Sequence, residues 1–294
     1  MPETHAGPLP AFPAEAFDRL LPLAFAEDVG DGDITTLATI PADAAGHARL
    51  LCKQAGVIAG LPSIERVFRH RGAHPDIKLM AAEGARVGAG TVVAELRGSL
   101  RALLTCERVL LNFLQRFSGI ATAAREYADA LAGAPTRMLD TRKTPAGYRG
   151  LDKYAVAIGG GTNHRMGLYD MVLVKDNHAE ACGSVRAAVE KVHALYGGKY
   201  TVEAEVRTLA ELESLMDAPV DIVLLDNMDD AMLREAIGRV RARAPRLKIE
   251  ASGNMDLERA KRIREFGLDF ISVGALTHSV KALDISLDIE RESR

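Results

Sequence analysis

The sequence has no tryptophan, only three cysteines, and no apolar run near the ~18 residues that a membrane helix requires. Cys52, Cys106 and Cys182 are far apart and form no C-x-x-C pair. Neither a disulfide framework nor a zinc site is readable from them, and a cytoplasmic, reducing location is the simplest expectation. The N-terminus lacks a basic segment followed by an apolar one, so export is not expected. There is no lysine or arginine tract and the net charge is −3, which argues against nucleic acid as a partner. No G-x-G-x-x-G follows a strand-like run and no Walker lysine loop occurs, which removes two common nucleotide-binding fingerprints. What is present is an ordinary globular composition, 48% hydrophobic and 26% charged, over 294 residues. That length suits one large domain or two smaller ones.

Charge is distributed unevenly. Between Asp140 and His178 there are six cations (Arg142, Lys143, Arg149, Lys153, Arg165, Lys175) and four aspartates (Asp140, Asp152, Asp170, Asp176). The segment is therefore +2 in a chain of −3, leaving −5 elsewhere. A cationic island in an acidic chain is a place to seek a small anionic ligand.

The first 13 residues hold four prolines and read as a loose arm. Ala14–Ala26 reads as a helix with Phe17, Leu20, Leu21 and Phe25 on its apolar side, against Pro22. The acidic turn Glu27–Asp33 lacks the ligand spacing of a calcium loop. From His47 to Arg97, short apolar runs broken by glycine turns predict a small sheet, with a helix near Pro62–His70. A long helix is predicted from about Leu100 to Leu131. On it, Arg101, Thr105, Arg108, Asn112 and Gln115 form one polar stripe, which by spacing alone is a solvated face. After Pro135 six apolar runs recur: Arg137–Thr141, Met171–Lys175, Thr201–Val206, Ile222–Asp226, Lys248–Ser252 and Phe270–Gly274. Helical stretches separate most of them (Ser184–Leu195, Leu209–Met216, Ala231–Ala244, Asp256–Phe266), so the sheet is parallel. A full eight-fold barrel takes ~250 residues, and an incomplete barrel fits better. Ile285, Leu287 and Ile289 alternate like a half-buried strand that returns to the N-terminal sheet.

Ligands of parallel α/β folds bind at the carboxyl ends of the strands. Here those ends are Thr141-Arg142-Lys143, Lys175-Asp176-Asn177-His178, Glu203 and Glu205, Asp226-Asn227, Ser252-Gly253-Asn254 and Val273-Gly274-Ala275. Gly159-Gly160-Gly161 and Asn163-His164-Arg165 lie between the first two. Arginine offers a planar donor fork to carboxylate or phosphate, and lysine a compact charge. Carboxylates among cations suit Mg²⁺ or sugar hydroxyls. Gly253 and Gly274 follow strands and precede helices, where phosphates meet backbone N–H groups. Each feature also has a plainer reading. Lys175 suits a buried ion pair, His164 ordinary polar structure, and the triple glycine a tight turn. Glu203 and Glu205 are expected to split, one facing the mouth and the other the helix layer. His5, His47, His70, His74 and His193 belong to no cluster.

The string DTRKTPAGYRGLDKYAVAIGGGTNHRMGLYDMVLVKDNH closely resembles the core signature of the quinolinate phosphoribosyltransferases. Similarity extends over nearly the whole chain, through EDVGDGDITT, ERVLLNFLQRFSGIAT, VEAEV, DIVLLDNM, EASGN and ISVGALTHS, in the family's order. The resemblance implies an α/β fold: an N-terminal α/β sandwich (1–118, with 280–294 returning to it) and an incomplete seven-stranded α/β barrel (119–279). It implies a homodimer at least, and no membrane partner. The implied reaction joins quinolinate and 5-phosphoribosyl-1-pyrophosphate, with Mg²⁺, giving nicotinate mononucleotide, pyrophosphate and carbon dioxide in NAD synthesis.

Carried over position by position, Arg142, His164, Arg165 and Lys175 would grip the quinolinate carboxylates, beside Thr141, and Lys143 would reach the pyrophosphate. Glu205 and Asp226 would hold the ribose hydroxyls, directly or through Mg²⁺. Ser252-Gly253 and Val273-Gly274 would cradle the 5′-phosphate, and Arg108 would enter the neighbouring subunit's site. This takes Arg108's stripe out of bulk water. Two departures are visible: Pro145-Ala146 before Gly147, where the family has proline next to that glycine, and Ala204 in VEAEV where a bulkier residue is usual. Competing readings are a Schiff-base aldolase using Lys175, a phosphate-ligand sensor without turnover, and a relative linked to molybdate transport.

Overall fold

Side chains of period two separate one face from the other along a strand, and that pattern organises both halves of the chain. The computed structural model describes residues 9–291. Its strands, in chain order, are β1 (Ala45–Cys52), β2 (Gly56–Val57), β3 (Asp76–Leu79), β4 (Arg86–Val87), β5 (Val92–Ser99), β6 (Arg137–Leu139), β7 (Val172–Val174), β8 (Val202–Val206), β9 (Ile222–Asp226), β10 (Lys248–Ser252), β11 (Phe270–Ser272) and β12 (Ile285–Arg291). Two units divide the chain: the described residues of Met1–Arg125, Thr144–Gly160 and Leu276–Arg294 form the first, and Glu126–Lys143 with Gly161–Ala275 the second.

In the first unit an antiparallel sheet runs β12-β1-β5-β3. Ala48, Leu50 and Cys52 of β1 alternate into its core, and Leu287 of β12 pairs with Leu50. The helix Ala14–Asp28 carries Phe17, Leu21 and Phe25 into the interior and tolerates Pro22. Phe17 meets Phe113 and Phe117 of the helix Leu100–Ala130 edge-on. The acidic turn does local work: Asp33 accepts the amide of Thr36 and caps a short helix, Ile34–Thr39, that the apolar pattern did not announce. The polar stripe of the long helix is only partly solvated. Arg101 donates to the Ile40 carbonyl, Thr105 to Asp33, and Gln115 to the Ile285 carbonyl, while Arg108 and Asn112 are exposed. Of the expected loose arm, residues 1–8, His5 included, lie outside the described residues; residues 9–13 have no regular structure.

A segment of the cationic island also belongs here. The helix Arg149–Gly159 puts buried Asp152 in a two-pronged ion pair with Arg116, and Tyr154 donates to Glu83. Gly159 lies so close to the long helix that a Cβ would stand 2.4 Å from the Ala121 carbonyl oxygen. Gly160 follows at φ 104° as its left-handed cap. The triple glycine is thus a helix end and a packing contact. The Pro145-Ala146 departure is an exposed turn of this same segment.

In the second unit six parallel strands run β6-β11-β10-β9-β8-β7. The order is sequential from β7 to β11 and returns to β6, the first strand. The expectation was seven strands, and six are formed. After the glycines the chain makes only one parallel bridge, Thr162 to Leu139, before its side chains turn polar. The ladders leave β6 and β7 unpaired with each other among the described residues. The strand-separating helices bury Leu212, Leu215, Leu233, Val240, Ala260 and Ile263. Every residue of β8 is buried, as in sheets covered on both faces. No helix among the described residues is long and apolar enough to cross a membrane.

Candidate active site

Because the six strands are parallel, their carboxyl ends share one edge, and the second unit gathers the charged residues there. Thr141-Arg142-Lys143 follow β6, Lys175-Asp176 follow β7, and Glu205 and Asp226 end β8 and β9. Asp140 is fully buried and fastens two chain segments: its amide donates to the Thr162 carbonyl, and its carboxylate accepts the His164 amide. Thr141 accepts the Lys143 amide, and Lys143 is exposed. Arg142 stands near enough to Arg165 that its charge joins burial in pulling Arg165 below its ordinary range. Two guanidinium groups that repel one another suit an anion with two acidic groups.

β8 sends its two glutamates the same way. Residues two apart on a strand share a face, so Glu203 and Glu205 do not split between mouth and helix layer as expected; Val202, Ala204 and Val206 take the helix side. Glu205 sits at the rim and accepts Lys175 Nζ at 2.6 Å. Glu203 is one layer deeper. His164 Nε2 stands 3.0 Å from it and 3.8 Å from Glu250, and Ser272 donates its hydroxyl to Glu250. Burial pushes both carboxyls up, with the Glu203 charge adding to the effect on Glu250.

His164, Glu203 and Glu250 have the composition of a metal site. The tautomer speaks against it. His164 Nδ1 accepts the Arg165 amide at 2.6 Å, so the ring proton is on Nε2, the nitrogen that faces the carboxylates. A metal there would require an imidazole stripped of both protons. His164 is placed beneath the arginines, its ring turned to these carboxylates and its side chain 9% exposed.

The rim carboxylates follow one pattern. Asp226 Oδ1 accepts Ser252 Oγ at 2.7 Å and Glu205 Oε2 is taken by Lys175, while Asp176 Oδ1 accepts the Asn177 amide. The other oxygen of each faces Arg207, whose guanidinium reaches Asp176 at 2.8 Å, Asp226 at 3.4 Å and Glu205 at 3.5 Å; that oxygen of Asp226 also accepts Asn227 Nδ2 at 2.8 Å. Arg207 was missed from sequence, although residues 203, 205 and 207 share one face by the same rule of two. Glu250 was missed as well, while Asp176 was placed at a strand end without a role.

Backbone geometry marks the ends of β9 and β10. Asn227 and Asn254 have φ of 54° and 47°, and Gly253 has 89°. A Cβ on Gly253 would stand 2.1 Å from Asn227 Oδ1, so only glycine lets the two loops approach. Arg259 donates to the carbonyls of Met228 and Gly253 and fixes both loops. Two expected phosphate contacts are otherwise engaged. The Val273 amide donates to the Leu139 carbonyl within the sheet, and the Ser252 hydroxyl donates to Asp226. Arg108 lies in the first unit and is not among the residues gathered here.

Comparison with known proteins gives one family. Quinolinate phosphoribosyl transferase, N-terminal domain, matches residues 33–118, and the C-terminal domain of that name matches 120–288. The chain is 41% identical over 302 aligned residues to a chloroplastic nicotinate-nucleotide pyrophosphorylase (carboxylating) of Arabidopsis thaliana, covering 96% of this chain and 85% of that one. Among solved structures it is similar to NadC from Streptococcus pyogenes, with a TM-score of 0.91 and 39% identity over 97% of this chain and all of that one. The nicotinate-nucleotide pyrophosphorylase of Francisella tularensis gives 0.89 and 36%, over 95% of this chain and 98% of that one.

Proposed function

This chain belongs to the quinolinate phosphoribosyl transferase family, and we propose that the gathered strand ends are where it performs that family's reaction. It transfers phosphoribosyl from 5-phosphoribosyl-1-pyrophosphate to quinolinate with decarboxylation, giving nicotinate mononucleotide, pyrophosphate and carbon dioxide in NAD biosynthesis. The observation that carries the site reading is the meeting of Arg142, Lys143, Arg165 and Lys175 with Glu205 and Asp226 at one edge of one sheet.

In this reading Arg142, Arg165 and Lys175 hold the two quinolinate carboxylates. His164 contributes by fixing the Arg165 backbone. Charge-assisted hydrogen bonds are worth roughly 1.5–3 kcal/mol each, so several together can hold a dianion out of water. Lys143, which is exposed, meets the pyrophosphate. Glu205 and Asp226 take the ribose hydroxyls and bear against positive charge that develops at the anomeric carbon as pyrophosphate leaves and the ring nitrogen attacks. Their oxygen donors fit Mg²⁺, which when bound supplies neutralisation for the departing pyrophosphate. Gly253 and Gly274 carry the backbone of the 5′-phosphate cradle, with Ser252 and Val273 shaping it. Arg108 completes the site of the neighbouring chain in a homodimer, and the protein works in the cytoplasm.

The test is pyrophosphate release that requires quinolinate, 5-phosphoribosyl-1-pyrophosphate and Mg²⁺ together; no release at saturating substrate would sink the assignment. The aldolase reading has less support, because a lysine ammonium held 2.6 Å from a carboxylate is poorly disposed to attack a carbonyl. Borohydride trapping of a carbonyl substrate on Lys175 would revive it.

A further inference from the structure

Arg207 follows β8 on the same face as Glu205, and its guanidinium collects the outward oxygen of three carboxylates. The other oxygen of each is already fixed: Glu205 by Lys175, Asp226 by Ser252, Asp176 by the Asn177 amide; Asp226 Oδ2, which faces Arg207, is also steadied by Asn227 Nδ2 at 2.8 Å. The three acceptors are thus oriented by the protein itself and aimed at one point. Such a point suits a hard cation or a set of hydroxyls. In this structure the guanidinium fills it.

Arginine cannot leave by losing its proton, since it stays charged at any ordinary pH. It can leave by moving. Its side chain is 53% exposed, and two of its three ion pairs are longer than 3.3 Å. With the arginine side exposed and the contacts long, these two pairs are weak and readily exchanged. Lys175, by contrast, approaches Glu205 to 2.6 Å.

We infer that Arg207 is a displaceable counter-ion: it occupies the locus where Glu205 and Asp226 are to hold a divalent cation and ribose hydroxyls, and swings out when they arrive. The inference rests on the assignment of those two carboxylates under Proposed function. It adds a specific competition between one side chain of this chain and the incoming cation. While no substrate is bound, the arginine offsets the mutual repulsion of Asp176, Glu205 and Asp226 and keeps them converged.

Competition can be read without turnover. Mn²⁺ binding to the substrate-free protein, followed by electron paramagnetic resonance, should be about five- to tenfold tighter in Arg207→Gln than in the wild type, because one unit of opposing charge is gone. Arg207→Met, similar in length and also uncharged, should match it. Adding Asp226→Asn to Arg207→Gln should abolish the gain. Equal Mn²⁺ affinity in wild type and both Arg207 variants, with Asp226→Asn weakening all of them, would overturn the counter-ion role and leave the cation locus standing. Binding insensitive to both Asp226→Asn and Glu205→Gln would overturn the locus, and the counter-ion role with it. A melting curve for each variant shows that it is folded.

Discussion

Two clusters of acids sit one layer apart in the same sheet, joined through Glu203 and Glu205 of β8, and they are held by opposite means. At the rim, Asp176, Glu205 and Asp226 are paired with cations, and of the three only Asp176 is well exposed. Beneath them, Glu203 and Glu250 form no ion pair with lysine or arginine among the described residues; their near neighbours are His164, Ser272 and each other, with Arg165 and Lys175 acting on Glu203 from farther off. At the rim each carboxylate is offset by a lysine or arginine side chain. In the interior the same chemistry is tolerable only if a proton replaces the cation, because an isolated buried carboxylate is expensive. The rim is therefore built to exchange partners, and the layer below to stay fixed while it does.

The sharpest way to break the contrast is to remove one carboxylate charge from each layer. Glu205→Gln leaves Lys175 without its partner and takes away a ligand-facing oxygen. It should lower kcat/KM roughly 100-fold, the scale of one to two charge-assisted hydrogen bonds, with little change in melting temperature. Glu250→Gln should do the reverse of damage: an amide imitates the neutral acid, so stability and activity should stay near wild type. Glu250→Ala orphans Ser272 and opens a cavity, costing about 3 kcal/mol in a denaturant titration. If Glu250→Gln proves as harmful as Glu250→Ala, the buried layer is ionised and the contrast fails.

Much of this was legible beforehand and some was not, for physical reasons. Strand ends are legible because apolar runs stop where side chains meet solvent, and all six parallel strands coincide with such runs. The rim acids Glu205 and Asp226 were found at those stops. Glu250 was hidden because a charge inside an apolar run reads as an interruption, and its partner Ser272 is on another strand. Arg207 was overlooked although the two-residue period pointed to it. Charge counting, for its part, could not see that the cationic island is divided. Arg149, Asp152 and Lys153 fold into the first unit through a helix whose glycine end packs on Ala121, a contact invisible in sequence.

pH offers a second test of the buried layer. Burial and the nearby Glu203 carry Glu250 from an ordinary 4.5 up to about 8. Between those values the folded chain holds a proton that the unfolded chain has released, so this group's contribution is full below pH 4.5 and is lost as pH rises through about 8. Wild type, level with Glu250→Gln near pH 5, should fall steadily below it as pH rises to 8.5. A gap that is flat with pH would mean that Glu250 titrates like an exposed acid.

The smallest effect belongs to the most exposed member of the rim. Asp176 holds Arg207 at 2.8 Å but its carboxylate makes no hydrogen bond to Lys175 Nζ or Ser252 among the described residues, and the Asn177 amide, more than the arginine, keeps its carboxyl below the usual range. Asp176→Asn keeps that backbone acceptor and removes only the charge. Melting should be unchanged, and KM for the phosphoribosyl donor should move by no more than about fivefold, the scale of one exposed ion pair. The direction is informative. If Arg207 must swing aside for the donor, freeing it from Asp176 lowers KM; if Asp176 itself touches the donor, KM rises. Steady-state kinetics of this one variant would therefore show whether the rim's third carboxylate serves the substrate or only its placeholder.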